Sequence, residues 1–195
     1  ADCDVTTEIT PTERAAVFRF TFPKSDSSFI VIDALDKGSY VKFFPKERKI
    51  VGYTKRYARG KLTNFKNYFV IYVDKDIEFH TIASDGKLAG KQVESTSNHS
   101  GIVIGFKTKK GEQVQLKVAS SFISEEQAEL NLKREVGDTG FDAVRNIAEL
   151  RWNETLGKIE VSGGTEEQMK TFYSCLYRAL FFPNKLYEID ADGKE

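Results

Sequence analysis

The stretch Val17-Phe18-Arg19-Phe20-Thr21-Phe22 alternates large apolar residues with more polar ones and stops at Pro23. A period of two is typical of a β-strand with one face buried, and proline cannot continue a sheet ladder. The apolar run Phe29-Ile30-Val31-Ile32 follows it and indicates a second, more deeply buried strand over Ser28–Asp33. This part of the chain is therefore predicted to form β-structure.

Similar short segments continue to about residue 123 and are separated by polar turns. Turn signals stand at residues 36–39, 84–87 and 109–112, where Asp, Gly, Ser and Lys cluster. Regular short strands with such turns favour an antiparallel sandwich over alternating strands and helices. The further predicted strands are Tyr40–Phe44, Lys49–Tyr53, Tyr68–Val73, Ile77–Ile82, Gly101–Phe106 and Gln113–Ser120.

The periodicity changes to that of helices after residue 123. Ser124 with Gln127 fits a capping box and predicts a helix to about Val136, which ends at Gly137. A second helix is predicted over Phe141–Leu156, with Phe141, Val144, Ala148 and Trp152 on one face. A short strand over Lys158–Val161 and a third helix over Thr165–Phe182 follow; Thr165 with Gln168 forms its capping box, and Pro183 ends it.

The composition indicates a globular protein and disfavours a nucleic-acid reader. The chain has 195 residues, 29 basic and 29 acidic, so the formal net charge is zero. The best local candidate for such a reader is the basic stretch Lys55 to Lys61, which is interpreted as a solvated loop, with nucleic-acid binding as the weaker alternative. No apolar run approaches the roughly 20 residues of a membrane span, and the acidic, polar start of the chain does not resemble a signal peptide.

The residue types that bind metals or act as nucleophiles show no recognisable spacing. Cys3 and Cys175 are far apart; a disulfide between them is open, but Cys175 lies on an apolar helix face and is interpreted as a small buried residue. His80 is interpreted as a surface residue of a sheet, and His99 has no evident orienting group. Aspartates at strand ends are interpreted as turn residues, including the pair at 74 and 76. They are Asp33, Asp36, Asp74, Asp76 and Asp85.

No carboxylate pair suits glycosidase chemistry. Glu8 and Glu13 are close in sequence, but five residues of strand place their side chains roughly 17 Å apart on opposite faces. Two tripeptides match N-glycosylation acceptors, at Asn98 and Asn153, and the second lies in a predicted helix. The residues alone predict a β-domain followed by helices, with no catalytic, cofactor-binding or metal-binding residue assigned.

Three stretches resemble a known family. Residues 8–23, from Glu8-Ile9-Thr10 to Thr21-Phe22-Pro23, resemble its pattern E-L-T-A-T-x-R-x-G-x-H-R-F-T-F-P. Residues 114–132 resemble a strand that leads through a serine-rich turn into a helix with the pattern E-x-A-x-x-N-L. Residues 141–183 follow in the family's order and spacing, including Trp152-Asn153, Leu156 to Val161 and Phe172 to Arg178. Together these stretches, which span nearly the whole chain, resemble glycoside hydrolase family 92.

The resemblance implies a fragment of a calcium-dependent exo-α-mannosidase that inverts configuration and removes mannose from N-glycans. It implies an N-terminal β-sandwich, a supersandwich like that of galactose mutarotase, followed by an (α/α)6 catalytic barrel. The expected domains are a sandwich over residues 1–123, linker helices and a short strand over 124–164, and the first barrel helix over 165–195. Calcium ligands and catalytic carboxylates are expected from the barrel, outside this chain. The parent protein is expected in the bacterial periplasm, outside the cell or on its surface.

The piece itself is expected to act as a scaffold and a partial wall of the substrate pocket. Departures from the family pattern at Ala16, Phe18 and Arg178 leave the linkage specificity open. The apolar face of the last helix is expected to lack its barrel neighbours, and so to fold back, self-associate or be disordered. The alternative function is a carbohydrate-binding or interaction module without hydrolysis.

Overall fold

A computed structural model describes residues 4–57, 62–181, 185 and 187–195. These residues form strands first and helices second, with one 3-10 turn at Pro45–Glu47. The strands are β1 Thr6–Pro11, β2 Ala15–Phe22, β3 Ser25–Asp33, β4 Ser39–Phe44, β5 Lys49–Thr54, β6 Asn67–Val73, β7 Phe79–Ser84, β8 Lys87–Leu88, β9 Glu94–Ser97, β10 Ser100–Thr108 and β11 Glu112–Ser121. The helices are α1 Glu125–Glu135, α2 Phe141–Leu156 and α3 Glu166–Ala179.

The strands pair antiparallel in two sheets. The large sheet has the order β1-β2-β11-β6-β5-β4-β9, and the small sheet has the order β3-β10-β7-β8. By its contacts the chain divides into two compact units, residues 1–144 and 145–195. The predicted antiparallel β-sandwich followed by helices is confirmed.

The main core lies between the two sheets, where alternate residues of facing strands meet. The small sheet contributes Ile82, Ile102, Ile104 and Phe106, each fully buried. The large sheet contributes its inward-facing residues, which include Phe22, Val41, Phe43, Ile50, Ile71, Val73, Val114 and Leu116. Period-two alternation therefore sorts the strand residues into this core and an outer face, as the sequence of β2 predicts.

A second, smaller core lies on the outer face of the large sheet, beneath α1. Val17, Val51, Val70 and Ala119 project from the sheet. The helices cover them with Ala128, Leu132, Val136, Phe141 and Val144. Because both faces of the large sheet are covered here, its central strands have buried residues on both sides.

Three strands were not predicted because they lack an apolar pattern, and two other strand predictions differ from the structure. β1, β8 and β9 consist mainly of polar residues and lie at or near sheet edges, where little side-chain burial is required. The strand predicted over Ile77–Ile82 begins two residues later, at Phe79. The strand predicted over Lys158–Val161 is wrong: these residues form a turn and irregular backbone, with no ladder partner among the described residues.

The deep burial predicted for β3 is also wrong. β3 is an edge strand of the small sheet, so only its inward residues reach the core. Phe29 and Val31 point outward and are each 59% exposed, whereas Ile30 is 8% exposed. A continuous apolar run thus does not distinguish a buried central strand from an edge strand with an apolar outer face.

The helix ends follow the predicted capping residues. At α1 the hydroxyl of Ser124 accepts a hydrogen bond from the backbone N–H of Gln127 at 3.1 Å, which is one half of the predicted capping box, and the Gln127 side chain donates to Asn131 Oδ1 at 3.0 Å. At α3 the capping box of Thr165 and Gln168 is complete, which satisfies backbone groups that the first helical turn leaves unpaired. The predicted stop at Pro183 lies outside the described residues.

The unit of residues 145–195 has no buried side chain on α3. Phe172, Tyr173 and Leu176, the predicted apolar face, are half-buried, and the Trp152 ring lies 4.5 Å from the Tyr177 ring. Cys175 is a free, exposed cysteine, so its predicted burial is wrong. Its helix neighbours Thr171, Arg178 and Ala179 are exposed as well, so this side of α3 does not belong to the half-buried face.

Candidate functional site

The candidate residues named from the sequence do not form one site. His99 Nε2 lies 2.7 Å from Asp33 Oδ1 in an exposed pair, so the expectation that His99 lacks an orienting group is wrong. Burial opposes ionisation, but hydrogen bonds from Leu35 N–H and His99 outweigh it and lower the pKa of Asp33. These two residues are 66 positions apart in sequence, so only the sheet pairing brings them together.

His80 is not on the surface, contrary to the prediction. Its half-buried ring lies edge-on to Phe43 with the centroids 4.8 Å apart, and Nε2 is buried with no hydrogen-bond partner in the described part of the chain. Adjacent strand residues point to opposite faces, and His80 shares the inward-facing set with Ile82. The ring therefore belongs to the packing between the sheets.

The aspartates predicted to be turn residues form hydrogen bonds or ion pairs with other parts of the fold. Asp74 Oδ1 accepts a hydrogen bond from the backbone N–H of Gln115 at 2.8 Å, and Asp76 pairs with Arg48 at 2.9 Å. Burial, the larger effect, raises the pKa of Asp74. Asp36 pairs with Arg56 at 2.7 Å. Each carboxylate thus fixes a turn or a neighbouring strand.

A set of polar contacts connects the large sheet to α1 and the α1–α2 connection. We call this the helix-support surface: the outer-face core beneath α1 together with the hydrogen-bonding residues at its rim. Most rim residues come from strands and stand two positions from a residue of this core, as Lys49 does from Val51 and Tyr72 from Val70, so one sheet face supplies both. The rim residues on the sheet are Thr12, Arg14, Arg19, Lys49, Tyr72, Gln115 and Lys117.

Glu129 of α1 is held by two side chains of the sheet. Lys49 Nζ donates to one carboxylate oxygen at 2.6 Å, and the Tyr72 hydroxyl donates to the other at 2.5 Å. Burial opposes ionisation of Glu129, but the hydrogen bonds from Lys49 and Tyr72 outweigh it and lower the pKa of this carboxyl. Burial and the hydrogen bond to Glu129 raise the pKa of Tyr72 to about 12. Glu129 is thus bound as a carboxylate and Tyr72 as a neutral phenol.

Tyr72→Phe is expected to flatten the alkaline loss of stability. Because the folded-state pKa of Tyr72 is raised to about 12, its contribution is full below the unfolded value of about 10 and disappears as the pH rises towards 12. The wild type should therefore lose more free energy of unfolding than the variant over this window. Urea unfolding at a series of pH values from about 9 to about 12 spans this window and measures the difference.

The matched control is Tyr57→Phe, which removes a hydroxyl with no hydrogen-bond partner among the described residues. It should keep the pH dependence of the wild type. Parallel stability curves for Tyr72→Phe and the wild type would contradict the proposed role of the Tyr72 hydroxyl.

The α1–α2 connection is held by backbone-directed hydrogen bonds from β11. Lys117 Nζ donates to the carbonyl of Gly137 at 2.7 Å, and Gln115 Oε1 accepts from the backbone N–H of Phe141 at 3.0 Å. Gly137 has a φ of 53°, a conformation that glycine adopts without strain at the end of a helix. The sheet thus determines where α1 ends and where α2 begins.

Arg19 connects β1, β2 and the first turn of α2. Its guanidinium donates to both oxygens of Glu8 at 2.7 and 2.8 Å and to Asp142 at 3.0 Å. The same group lies 4.1 Å from the centroid of the Phe141 ring, a cation–π arrangement. Glu8, excluded above as a catalytic carboxylate, is therefore an ion-pair partner of Arg19.

The sequence contains only a weak signal for this surface. The strand residues Lys49, Tyr72, Gln115 and Lys117 stand at outward positions, where a solvated sheet face would also have polar residues. Their partners are separated from them by 20 to 80 residues, so pattern analysis does not pair them. Periodicity identifies the face of a strand but not what covers it.

The described residues do not fit a resident calcium ion. Calcium takes six to eight oxygen ligands, usually with several carboxylates. No group of three or more Asp, Glu, His or Cys side chains that could hold a metal ion occurs in the described ranges. The site geometry therefore offers support of a helix, not a metal centre.

In the described ranges, no helix is long and apolar enough to span a membrane.

Two family sequence models match the chain. The Glycosyl hydrolase family 92 N-terminal domain matches residues 1–121, and the Glycosyl hydrolase family 92 catalytic domain matches residues 127–195. The catalytic-domain match thus begins within α1, so its first part, residues 127–144, lies in the same compact unit as the sandwich.

Solved structures of mannosidases share the fold. The family GH92 inverting mannosidase BT2199 of Bacteroides thetaiotaomicron VPI-5482 is 37% identical, with a TM-score of 0.92 over 97% of this chain and 26% of its own. The family GH92 α-mannosidase BT3965 of the same species is 27% identical, with a TM-score of 0.82 over 95% of this chain and 26% of its own. It has also been solved with mannoimidazole.

A curated fungal protein is similar over a shorter stretch. The "Uncharacterized secreted glycosidase" of Arthroderma benhamiae is 39% identical over 75 residues, which are 36% of this chain and 10% of the fungal protein. The chain spans about a quarter of the length of the solved mannosidases named above.

Proposed function

Since this chain belongs to glycosyl hydrolase family 92, we propose that it is part of an α-mannosidase that removes mannose from glycans. The proposal is supported by the 37% identity to an inverting mannosidase over nearly the whole chain. An α-mannosidase of the same family has been solved with mannoimidazole, which supports binding of mannose-containing glycans by the parent protein. N-glycans are the proposed source of this mannose.

Within that enzyme, we propose that this chain positions the start of the catalytic domain. The observation that carries the proposal is the helix-support surface, which fixes residues 127–144 of the catalytic-domain match to the sandwich. Buried contacts of Leu132, Val136, Phe141 and Val144 provide the stability, and the polar rim determines the position. A rigid support of this kind is what a binding pocket assembled from two domains requires.

The proposed mechanism is inversion with two carboxyl groups. In such enzymes an acid protonates the leaving oxygen while a base activates water, and the groups stand about 6.5–9.5 Å apart. We propose that both groups, and the ligands of a calcium ion, belong to parts of the catalytic domain outside residues 1–195. Calcium would supply a hard cation for sugar hydroxyls there. The described residues of this chain contribute support and part of the pocket wall.

The partner we propose for the exposed side of α3 is the remainder of that catalytic domain. Met169, Leu180 and Phe181 are between 37% and 47% exposed in this chain. In the isolated chain, a second copy is the proposed substitute for those neighbours. Export from the cytoplasm to the periplasm or cell exterior is proposed from the similarity to a secreted glycosidase.

The isolated 195-residue chain is expected to release no mannose, with or without calcium. The physical reason is that positioning of helix α1 does not supply the acid and base that cleavage needs. The test compares the purified chain with the longer protein encoded by the source gene, on α-linked mannobiose with and without added calcium. Mannose release proportional to the concentration of the chain would contradict the proposed support role.

The longer protein is the positive control of the same experiment. It should release mannose with inverted configuration, which can be followed by NMR of the anomeric proton. An inactive longer protein, under conditions that cleave mannobiose with another mannosidase, would contradict the proposed activity.

A further inference from the structure

One groove of the sandwich is lined by residues that are not part of the helix-support surface. It has a volume of about 860 Å³ and lies between the end of β5 and the start of β6, a size typical of small-ligand sites. We call it the aromatic–lysine groove. Its lining residues are Lys37, Lys55, Tyr57, Leu62, Thr63, Asn64, Phe65, Lys66 and Tyr68.

A row of three tyrosines lies beside the groove, and one of them, Tyr68, also lines it. Tyr40, Tyr53 and Tyr68 are direct cross-strand neighbours on β4, β5 and β6. Their ring centroids are 5.7 and 5.9 Å apart, so the row is continuous. It lies on the outer face of the large sheet, beyond the residues that α1 covers. A rigid aromatic row of this kind orders the side chains that rest on it.

The lysines of the groove rest on these rings. Lys66 Nζ lies 4.4 Å from the Tyr53 centroid and 5.7 Å from that of Tyr68, and Lys55 Nζ lies 5.9 Å from that of Tyr53. Neither these two lysines nor Lys37 pairs with a carboxylate anywhere in the described ranges. Arg19, Lys49 and Arg56, by contrast, each pair with a carboxylate. The groove therefore has positive charge that is positioned but not neutralised.

Tyr57 and Phe65 of the lining form a second aromatic group, which Phe122 extends. The Tyr57 and Phe65 rings are 5.2 Å apart, and Phe65 and Phe122 are 5.8 Å apart. Leu62 and Phe122 are 54% and 59% exposed, a large solvent-facing apolar area for one end of a sheet. Exposed apolar surface next to fixed cations suits a ligand with a flat apolar face and an acidic substituent.

We propose that the aromatic–lysine groove binds an acidic saccharide, a pyranose with a sulfate, phosphate or carboxylate group. The ammonium groups of Lys55 and Lys66 donate to the acidic group, and the Tyr57, Phe65 and Phe122 rings contact the sugar face. The inference rests on the proposed action of the parent enzyme on glycans, and it adds a non-catalytic site for charged glycans.

A single-stranded nucleic acid also combines anions with rings that stack. The charge of the chain argues against it, because 29 basic and 29 acidic residues give no net positive charge, whereas a nucleic-acid reader normally has a basic surplus. Binding along a backbone of several phosphates would require a longer basic track. The saccharide is therefore the occupant that the local charge and the family membership favour.

Calorimetric titration tests the proposal with defined probes. The probes are mannobiose with one sulfate ester, unsulfated mannobiose, inorganic sulfate and a thymidine decamer, each added to the purified chain. Sulfated mannobiose is expected to bind most tightly, and the Lys55→Gln/Lys66→Gln double variant is expected to raise its Kd by about tenfold or more. Urea unfolding of each variant establishes that it is folded.

Two further variants are controls for the Lys55→Gln/Lys66→Gln double variant. Lys55→Arg/Lys66→Arg keeps the charge and the contact with the rings, so it should retain binding within a few-fold. Lys110→Gln removes one lysine in the β10–β11 turn, at the opposite end of β11 from Ser121, the cross-strand neighbour of Tyr68. It should leave the Kd unchanged.

Several results would overturn the proposal. Equal binding of sulfated and unsulfated mannobiose would show that the lysines do not recognise the ligand, and equal binding of inorganic sulfate would show that the rings do not. Tighter binding of the decamer would assign the groove to nucleic acid, and no binding of any probe would remove the site. None of these results affects mannose release by the longer protein, so failure of this proposal is distinguishable from failure of the proposed activity.

Discussion

Phe106→Ala is expected to lower the free energy of unfolding of the sandwich by about 3–5 kcal/mol. Phe106 is fully buried between the two sheets, and its ring lies 6.4 Å from that of Phe22. The change removes the apolar contacts of a whole ring and leaves a cavity that two sheets, each held by its own hydrogen bonds, close only in part. Domains are stable by about 5–15 kcal/mol, so this is a large fraction of the total.

Urea unfolding followed by circular dichroism measures the effect. The matched control is Phe29→Ala, the same change on the outer face of β3, where the side chain is 59% exposed. The control is expected to change the free energy of unfolding by less than about 1 kcal/mol. Similar losses for the two variants would mean that the space between the sheets is not the main core.

Leu132→Ala is expected to cost about 2–5 kcal/mol and to loosen α1 from the large sheet. Leu132 is 5% exposed and packs with Val17, Val70 and Val136 in the second core. The polar rim of the helix-support surface fixes position, but each of its partly exposed pairs contributes little to stability. The apolar contact beneath α1 is thus the main source of its attachment.

Hydrogen exchange distinguishes local loosening from global destabilisation. In Leu132→Ala, amide protection should fall more in α1 than in β10, whose residues belong to the core between the sheets. The control is Leu88→Ala on β8, where the side chain is 71% exposed, and it should leave both unchanged. Uniform loss of protection across the unit would contradict a separable attachment of α1.

Under the proposed function, Leu132→Ala should affect mannose release as well as stability. If the sandwich supports the catalytic domain through α1, Leu132→Ala in the longer protein should impair mannose release before the main core unfolds. Phe106→Ala should impair activity only together with global unfolding. The two substitutions therefore separate the role of the support surface from the general stability of the domain.

Much of the fold is predictable because local patterns carry it. The alternation in β2, the turns around Asp36 and Gly111, and the caps at Ser124 and Thr165 each act over a few residues. The switch from period two to helical period near residue 123 correctly predicts where strands end and helices begin. The family resemblance adds the order of domains, which no single pattern contains.

The prediction fails where burial depends on a distant element. Phe29 and Val31 have the composition of a buried strand but lie on an edge, and Cys175 lies on an apolar helix yet is exposed. His99 acquires Asp33 as a partner only because β3 and β10 pair in one register. These outcomes depend on which strands become neighbours.

The amino-acid sequence by itself determined most of the strands with an apolar pattern, the helix starts and the family, because each depends on local spacing or on an ordered set of motifs. Only the tertiary structure decided that the large sheet has a second core beneath α1, that Glu129 is bound by Lys49 and Tyr72, and that Lys55 and Lys66 rest on tyrosines. The physical reason is that burial and charge pairing are properties of surfaces, and a surface is assembled from segments far apart in the chain.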